Sequence, residues 1–153
     1  MQPKLAADSM LGGLAKWLRL LGLDTYYLRH GPKKPLPDRI LLTRRSNRPH
    51  QPRLHGWLEI INLSSNDTKS QLRESVQRLG LNKEDARPLS RCNTCNRLLE
   101  KVSKDDVLGR VPEFVFSYHN EFSLCPGCGR VYWPGTHHGR MSAVIDGLWD
   151  EAS

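Results

Sequence analysis

The chain has no long hydrophobic run, and this absence excludes a class of protein at once. No stretch approaches the roughly 18 apolar residues that a membrane-spanning helix needs, so we expect no transmembrane segment and no membrane partner. The first residues, Met1–Asp8, are too polar to form the apolar centre of a secretory signal peptide. A hydrophobic content of 38% and a charged content of 25% are typical of a soluble globular protein. We therefore expect a cytoplasmic protein whose thiols stay reduced.

Acidic residues are almost absent from one segment, residues 29–53. Asp38 is its single acidic residue, so the segment accounts for the whole positive excess of a chain whose net charge is +7. Such clustering is typical of surfaces that bind polyphosphate, most often nucleic acid. The alternative is a solvated basic loop that only favours solubility. The basic residues of the segment are Arg29, Lys33, Lys34, Arg39, Arg44, Arg45, Arg48 and Arg53.

No cysteine is left over in this chain, because its four cysteines form two pairs with identical spacing. The pairs are Cys92-Asn-Thr-Cys95 and Cys125-Pro-Gly-Cys128. A gap of two residues lets both sulfurs of a pair reach one metal ion at about 2.3 Å. Gly127 and Gly129 give the second pair the backbone freedom that such a tight turn requires.

Two other uses of the four thiols fit the sequence less well. Two disulfides would be expected with an export signal, and a redox centre of the C-x-x-C kind needs one pair only. The pattern therefore predicts one structural Zn²⁺ bound by Cys92, Cys95, Cys125 and Cys128. Four thiolates leave no open position for water, so we expect the metal to contribute about 10 kcal/mol to folding and no chemistry.

Strands and helices alternate in the first half of the chain. Apolar residues at three- and four-residue steps predict one helix from Ser9 to Gly22 and another that ends at Gly80. The predicted strands are Leu5–Ala7, Thr25–Leu28, Arg39–Thr43 and Leu58–Leu63. This order predicts an α/β fold with a mostly parallel sheet.

The second half is organised around the cysteines. Residues 82–88 are the predicted linker, so we expect two domains, 1–88 and 89–153. Val111–Phe116 is predicted as a turn that leads into a strand, and an amphipathic helix is predicted from about Arg140 to Trp149.

Several of these segments together resemble one known family. Asp8-Ser9-Met10-Leu11-Gly12, Leu14–Arg19 and Gly22–Thr25 resemble the amino terminus of the Mut-seven C-terminal RNase domain family, and Arg39–Arg44 is similar to its third-strand motif. Ser90–Asn96 and Cys125–His137 are similar to its zinc-ribbon signature. The resemblance covers nearly the whole chain. It implies a PIN-like α/β nuclease domain followed by a zinc ribbon, with RNA as the expected partner.

The family's nuclease site implies a set of acidic residues at strand ends that hold Mg²⁺ or Mn²⁺. Asp8 matches the first acidic position and is the candidate catalytic residue, although it could equally cap the following helix. The third-strand motif of the family continues Thr-Arg-Asp, whereas this chain reads Thr43-Arg44-Arg45. A further acidic position is replaced by the basic stretch Arg29–Pro35. Asp38, Glu59 and Asp67 are the carboxylates that could substitute.

Arginine in place of a ligand aspartate puts a guanidinium where the cation would lie, and a guanidinium binds phosphate itself. The candidate phosphate-binding residues are Lys16, Arg19, Lys33, Lys34, Arg44, Arg45 and Arg48. Lys16 and Arg19 could equally be a solvated helix face.

Three hypotheses follow for function. The leading one is an RNA-binding protein whose nuclease centre is degenerate. The alternatives are an active Mg²⁺- or Mn²⁺-dependent ribonuclease that uses Asp8, and a zinc-stabilised scaffold for protein partners that the sequence does not identify. His137 and His138 could supply an acid/base or contact RNA, but beside a zinc site filled by four thiolates we expect them to be structural or surface residues.

Overall fold

A computed structural model describes residues 2–30, 34–44 and 56–150. None of the described helices is long and apolar enough to cross a membrane. Short 3-10 turns occur at Ser9–Leu11, Lys83–Asp85 and Lys104–Val107. The remaining elements in chain order are β1 (Leu5–Ala7), α1 (Gly12–Leu20), β2 (Thr25–Tyr27), β3 (Ile40–Thr43), β4 (Glu59–Asn62), α2 (Thr68–Arg78), β5 (Glu100–Val102), α3 (Glu113–Tyr118), β6 (Phe122–Leu124), β7 (Val131–Tyr132) and α4 (Thr136–Asp150).

The first four strands form a parallel sheet in the order β2-β1-β3-β4. The central strands β1 and β3 are buried along their whole length, which is why they read as continuous apolar runs in the sequence. The α/β fold with a parallel sheet is therefore confirmed. We call this sheet with α1 and α2 the sheet unit.

Helix α1 packs tightly at its amino-terminal end because two glycines begin it. A Cβ built on Gly12 would lie 3.0 Å from Oη of Tyr27, and one on Gly13 would lie 2.9 Å from Oγ1 of Thr68. The glycines weaken the helix but let it approach strand β2 on one side and helix α2 on the other.

Gly22 and Gly80 each follow a helix and both have positive φ, at 88° and 65°. They differ in their surroundings. A Cβ on Gly22 would overlap the carbonyl oxygen of Arg87 and lie 2.7 Å from Oγ of Ser90, whereas nothing lies within 4 Å of a Cβ on Gly80. Gly22 is thus required both for its φ and for its close approach to the linker.

We expect Gly80→Ala to cost about 1 kcal/mol of unfolding free energy, the ordinary penalty for a side chain at positive φ. Gly22→Ala is expected to cost at least about 2 kcal/mol more, because the linker backbone must also move. Chemical denaturation of the two variants measures the difference. Equal losses would show that the linker does not pack closely on Gly22.

The cysteine region, residues 91–133, contains a second sheet in which β5, β6 and β7 pair antiparallel. Its core is small, with Val107, Val115 and Phe122 as the buried residues of the described cluster. The strand predicted at the end of Val111–Phe116 is wrong, since this stretch enters helix α3. Val115 of α3 is buried in that core, and Val111 and Phe116 pack against it.

Helix α4 packs on the sheet unit. Its buried residues Ile145 and Leu148 belong to the same core cluster as Leu5 and Leu42. Nε1 of Trp149 donates a hydrogen bond of 2.9 Å to the carbonyl of Leu81. The segment 89–153 therefore contributes its last helix to the core of the first half. A predicted helix near residues 140–149 is confirmed and begins slightly earlier.

Candidate functional site

The four cysteine sulfurs converge on one point, all within 4.8 Å of one another. Four sulfurs that bind a metal tetrahedrally at about 2.3 Å lie about 3.8 Å apart. The Sγ atoms of Cys92 and Cys128 are 3.8 Å apart, although they belong to different pairs. The donor set and this distance fit a metal ion such as zinc, which would supply no reaction of its own because four thiolates close the shell.

The two cysteine pairs sit in turns of the same design. In the first cysteine turn, residues 92–97, the N–H of Cys92 donates to the carbonyl of Arg97, and that of Asn96 donates to Cys92. In the second cysteine turn, residues 125–130, Cys125 and Gly129 repeat this pattern. The residue after each second cysteine has positive φ: 69° at Asn96 and 78° at Gly129.

Gly127 is needed for space rather than for φ. Its Cβ would lie 2.6 Å from Cδ of Arg97, so a side chain at residue 127 would force the Arg97 side chain, which joins the two cysteine turns, to shift. The prediction of backbone freedom thus holds for Gly129, whereas Gly127 allows a close approach.

Tyr132 supports the sulfur of Cys92 from outside the four-cysteine cluster. Its hydroxyl lies 3.1 Å from Sγ of Cys92 and 2.9 Å from Oδ1 of Asn93. Burial of Cys92 would raise its pKa, but hydrogen bonds from Tyr132 and from backbone N–H groups lower it to about 6. The environment thus favours the thiolate, which is the form that binds metal.

Arg19 joins the sheet unit to the first cysteine turn. Its Nε donates to the carbonyl of Thr25 at 2.9 Å, and its Nη1 donates to the carbonyls of Asn93 and Thr94 at 3.1 Å each. The residue is 8% exposed, so it does not lie on a solvated helix face. Burial lowers the pKa of Arg19, and nearby Cys92 opposes that shift.

Asn96 makes a second contact between the first cysteine turn and the sheet unit. Its side chain accepts from the N–H of Thr25 at 2.9 Å and donates to Oδ1 of Asp24 at 2.7 Å. Asp24 also accepts from Nη1 of Arg39 at 2.8 Å. Burial alone would raise the pKa of Asp24, but the hydrogen bonds from Arg39 and Asn96 lower it. The first cysteine turn is therefore fixed to the amino-terminal end of β2.

Asp8 lies at the opposite, carboxyl edge of the parallel sheet, directly after β1. Its N–H donates to the carbonyl of Leu42, and its Oδ2 accepts from Oγ1 of Thr43 at 2.8 Å. Its Oδ1 accepts from the N–H of Ser9, so the carboxylate also caps the following turn. The chain continues from β1 to β2 on one side, and β3 lies on the other, so Asp8 marks the switch point where ligands bind in open α/β sheets.

The carboxylates considered as substitutes for a metal site lie at the other edge of the sheet or, in the case of Asp67, cap a helix. Asp38 precedes β3 and Glu59 begins β4, so both lie at the amino edge, away from Asp8. Lys4 and Asp38 form an exposed ion pair there, at 3.6 Å. Asp67 caps helix α2 by accepting from the N–H of Ser70. Over residues 2–30, 34–44 and 56–150, the four cysteines are the one group of three or more potential ligands that converges.

The structure describes some of the candidate phosphate-binding residues and not others. Lys16 and Lys34 are exposed, and Arg44 follows β3 at the carboxyl edge. Nε of Arg44 is buried and has no hydrogen-bond partner in the part of the chain that the structure describes. Lys33, Arg45 and Arg48 lie outside the described residues.

Two aromatic side chains, Tyr132 and Trp133, pack in the cysteine region. Trp133 packs on Phe122 with ring centroids 6.5 Å apart, and Tyr132 contacts Cys92. His137 and His138 fall in the first turn of α4.

The fold and the site define an α/β protein whose parallel sheet has a polar carboxyl edge and is joined to a four-cysteine metal-binding region. A family-level comparison matches residues 3–145 to the Mut7-C RNAse domain. The chain therefore belongs to the Mut7-C RNAse domain family, as its motifs predicted. No curated protein and no solved structure matched the chain.

Proposed function

We propose that this protein binds RNA at the carboxyl edge of its parallel sheet and does not cleave it by metal-dependent hydrolysis. The observation that carries this proposal is that, among the described residues, Asp8 belongs to no group of three or more side chains that could hold a metal ion. Membership of an RNase domain family supports an interaction with RNA, and the local charge argues against the metal that cleavage would need.

Hydrolysis of a phosphodiester with Mg²⁺ or Mn²⁺ requires several oxygen ligands around the ion. Asp24, Asp38 and Glu59 lie at the amino edge of the sheet, and Asp67 is used as a helix cap. Glu74 is held by the N–H groups of Ser64 and Ser65. Residues 45–55, which the structure does not describe, contain no acidic residue in the sequence. One carboxylate at the switch point is a poor site for a divalent ion.

The same edge is well suited to phosphate. Arg29 follows β2 and Arg44 follows β3, so a cation stands on each side of the strand that ends at Asp8. Nε of Arg44 is a buried donor, and leaving such a donor unpaired costs about 1–3 kcal/mol. A phosphate oxygen is an acceptor that would satisfy it, with the charge-assisted geometry that arginine favours.

We assign the four cysteines to a structural Zn²⁺ ion. Tetrahedral sulfur coordination is typical of zinc, and the closed shell leaves no position for substrate. The ion would fix the cysteine region, whose small core includes Val107, Val115 and Phe122. Reduced thiols suit a cytoplasmic location, which stays a prediction.

A zinc-stabilised protein scaffold is the second candidate function. Leu108, Phe114 and Tyr118 are 67%, 66% and 82% exposed, and all belong to the cysteine region. Contiguous exposed apolar patches mark protein interfaces, and these three side chains lie within 11 residues of one another in the sequence. A scaffold would bind no RNA, and this difference separates the two functions.

The test is RNA binding as a function of salt. Fluorescence anisotropy with labelled oligouridylate should give a log–log plot of affinity against salt with a slope of about −0.7 for each phosphate bound. Arg44→Gln should reduce the slope by about one contact, whereas Arg140→Gln, at an exposed site on α4, should not change it. Negligible binding even at low salt would reject RNA binding and favour the scaffold.

A further inference from the structure

A cleft of about 790 Å³ lies along helix α1, where the sheet unit meets both cysteine turns. Lys16 and Arg29 line it from the sheet unit, Asn93 and Thr94 from the first cysteine turn, and Arg130 from the second. The cleft is thus formed between the sheet unit and the cysteine region, which Arg19 of α1 and Asn96, bonded to Thr25 of β2, hold together.

All the charged residues that line this cleft are basic. Lys16, Arg29 and Arg130 line it together with Arg19, and no acidic residue is among its lining residues. The first three are exposed and form no ion pair among the described residues. Like charges gathered in a concave surface raise the local potential and attract an anion.

Arg19 gives the cleft a fixed donor. Backbone carbonyls of Thr25, Asn93 and Thr94 hold its Nε and Nη1, and the residue is 8% exposed. Its Nη2 carries two further N–H groups, which donate to no atom in the described part of the chain. The guanidinium is thus held in one orientation before any ligand arrives, which lowers the entropic cost of binding an oxyanion.

The cleft continues from the carboxyl edge of the sheet. Gly12, at its start, is joined to Asp8 by one short turn, and Arg29 follows β2 at that edge. From Gly12 to Arg19 the helix rises by about 10 Å, so the cleft extends from the edge towards the cysteine turns. A polyanion bound at Arg44 would lie at one end of this path.

We propose that this cleft binds the phosphate backbone of single-stranded RNA across the joint between the sheet unit and the two cysteine turns. The inference rests on the proposed function and extends its RNA surface to Lys16, Arg19 and Arg130. It also gives the metal-binding region a part in RNA binding, because the cysteine turns supply one wall of the cleft. The competing explanation is that Arg19 and Arg130 only balance the net negative charge of four thiolates around a zinc ion.

The test compares two double variants that each remove two positive charges. Lys16→Gln with Arg130→Gln changes exposed residues of the cleft, and Lys83→Gln with Lys101→Gln changes exposed residues that do not line it. Binding of oligouridylate of about 12 nucleotides is measured by anisotropy between about 50 and 200 mM salt. Metal content and thermal unfolding confirm that both proteins keep the fold.

The cleft variant should bind about tenfold more weakly at low salt, with a salt slope shallower by about 1.4, and the control variant should keep the slope of the original protein. Equal, small losses in both variants would overturn the cleft while leaving RNA binding at the carboxyl edge intact. No binding by the unsubstituted protein would instead reject the proposed function. The two failures are therefore distinguishable.

Discussion

Replacing Cys92 with serine is expected to abolish metal binding and to unfold the cysteine region. Cys92 is fully buried, accepts from the N–H of Cys95 and contacts the hydroxyl of Tyr132. Apart from the metal, a small apolar cluster around Phe122 holds this region together. A structural zinc ion contributes on the order of 10 kcal/mol, more than such a core supplies by itself.

Elemental analysis and amide hydrogen exchange measure this effect. We expect about one zinc per chain before the substitution and none after it, with loss of exchange protection in β5, β6 and β7. Pro126→Ala is the control, since it changes an exposed residue of the second cysteine turn and keeps all four thiols. A Cys92→Ser protein with one tightly bound zinc and unchanged protection would contradict the assignment of the metal.

Arg19→Met is expected to lower the free energy of unfolding by about 3 kcal/mol, because three backbone carbonyls lose a charged donor in a buried place. The substitution keeps the apolar stem, so lost packing does not account for the effect. Lys16→Met, on the same helix but exposed, should change stability by less than about 0.5 kcal/mol.

Denaturant titration of the two variants measures the difference. Arg19→Met should also release its metal faster to a chelator, because the first cysteine turn loses a support from the neighbouring unit. Similar stabilities for both variants would show that Arg19 does not hold the joint between the sheet unit and the first cysteine turn.

The sheet unit follows from the sequence because its signals are local and strong. Strands β1 and β3 are buried throughout, and a short continuous apolar run is typical of a parallel strand that is covered on both faces. Helix α3 was not predicted because Phe114-Val115-Phe116 is a short run of aromatic and β-branched residues, which is typical of a buried strand. Phe114 is in fact 66% exposed, and the core uses Val111, Val115 and Phe116.

The convergence of the four cysteines was predictable from their spacing, whereas the residues that support them were not. Arg19 lies four residues after buried Ala15, which places it on the buried side of α1, but a charged residue there is expected at the surface until its partners are known. The positive φ of Asn96 could have been predicted from the sequence. It occupies the position after the second cysteine that Gly129 occupies in the other turn, and asparagine is the residue that best replaces glycine at positive φ.

The candidate site at the carboxyl edge could be described only by combining the sequence with the structure. The sequence identified Asp8 and the basic replacements after Thr43. Which other carboxylates could reach Asp8 is a question of tertiary geometry, and the parallel register places Asp38 and Glu59 at the opposite edge. The absence of a group of three metal ligands around Asp8, among the described residues, is therefore a result of the fold.

The central claim, that RNA is bound but not hydrolysed, is tested most directly by one comparison. Labelled single-stranded RNA is incubated with the protein and with Asp8→Ala at saturating protein, in Mg²⁺ and in Mn²⁺, and intact RNA is measured over time. The account predicts salt-sensitive binding by the unsubstituted protein and the same low background of cleavage for both proteins. Robust metal-dependent cleavage that Asp8→Ala abolishes would contradict it.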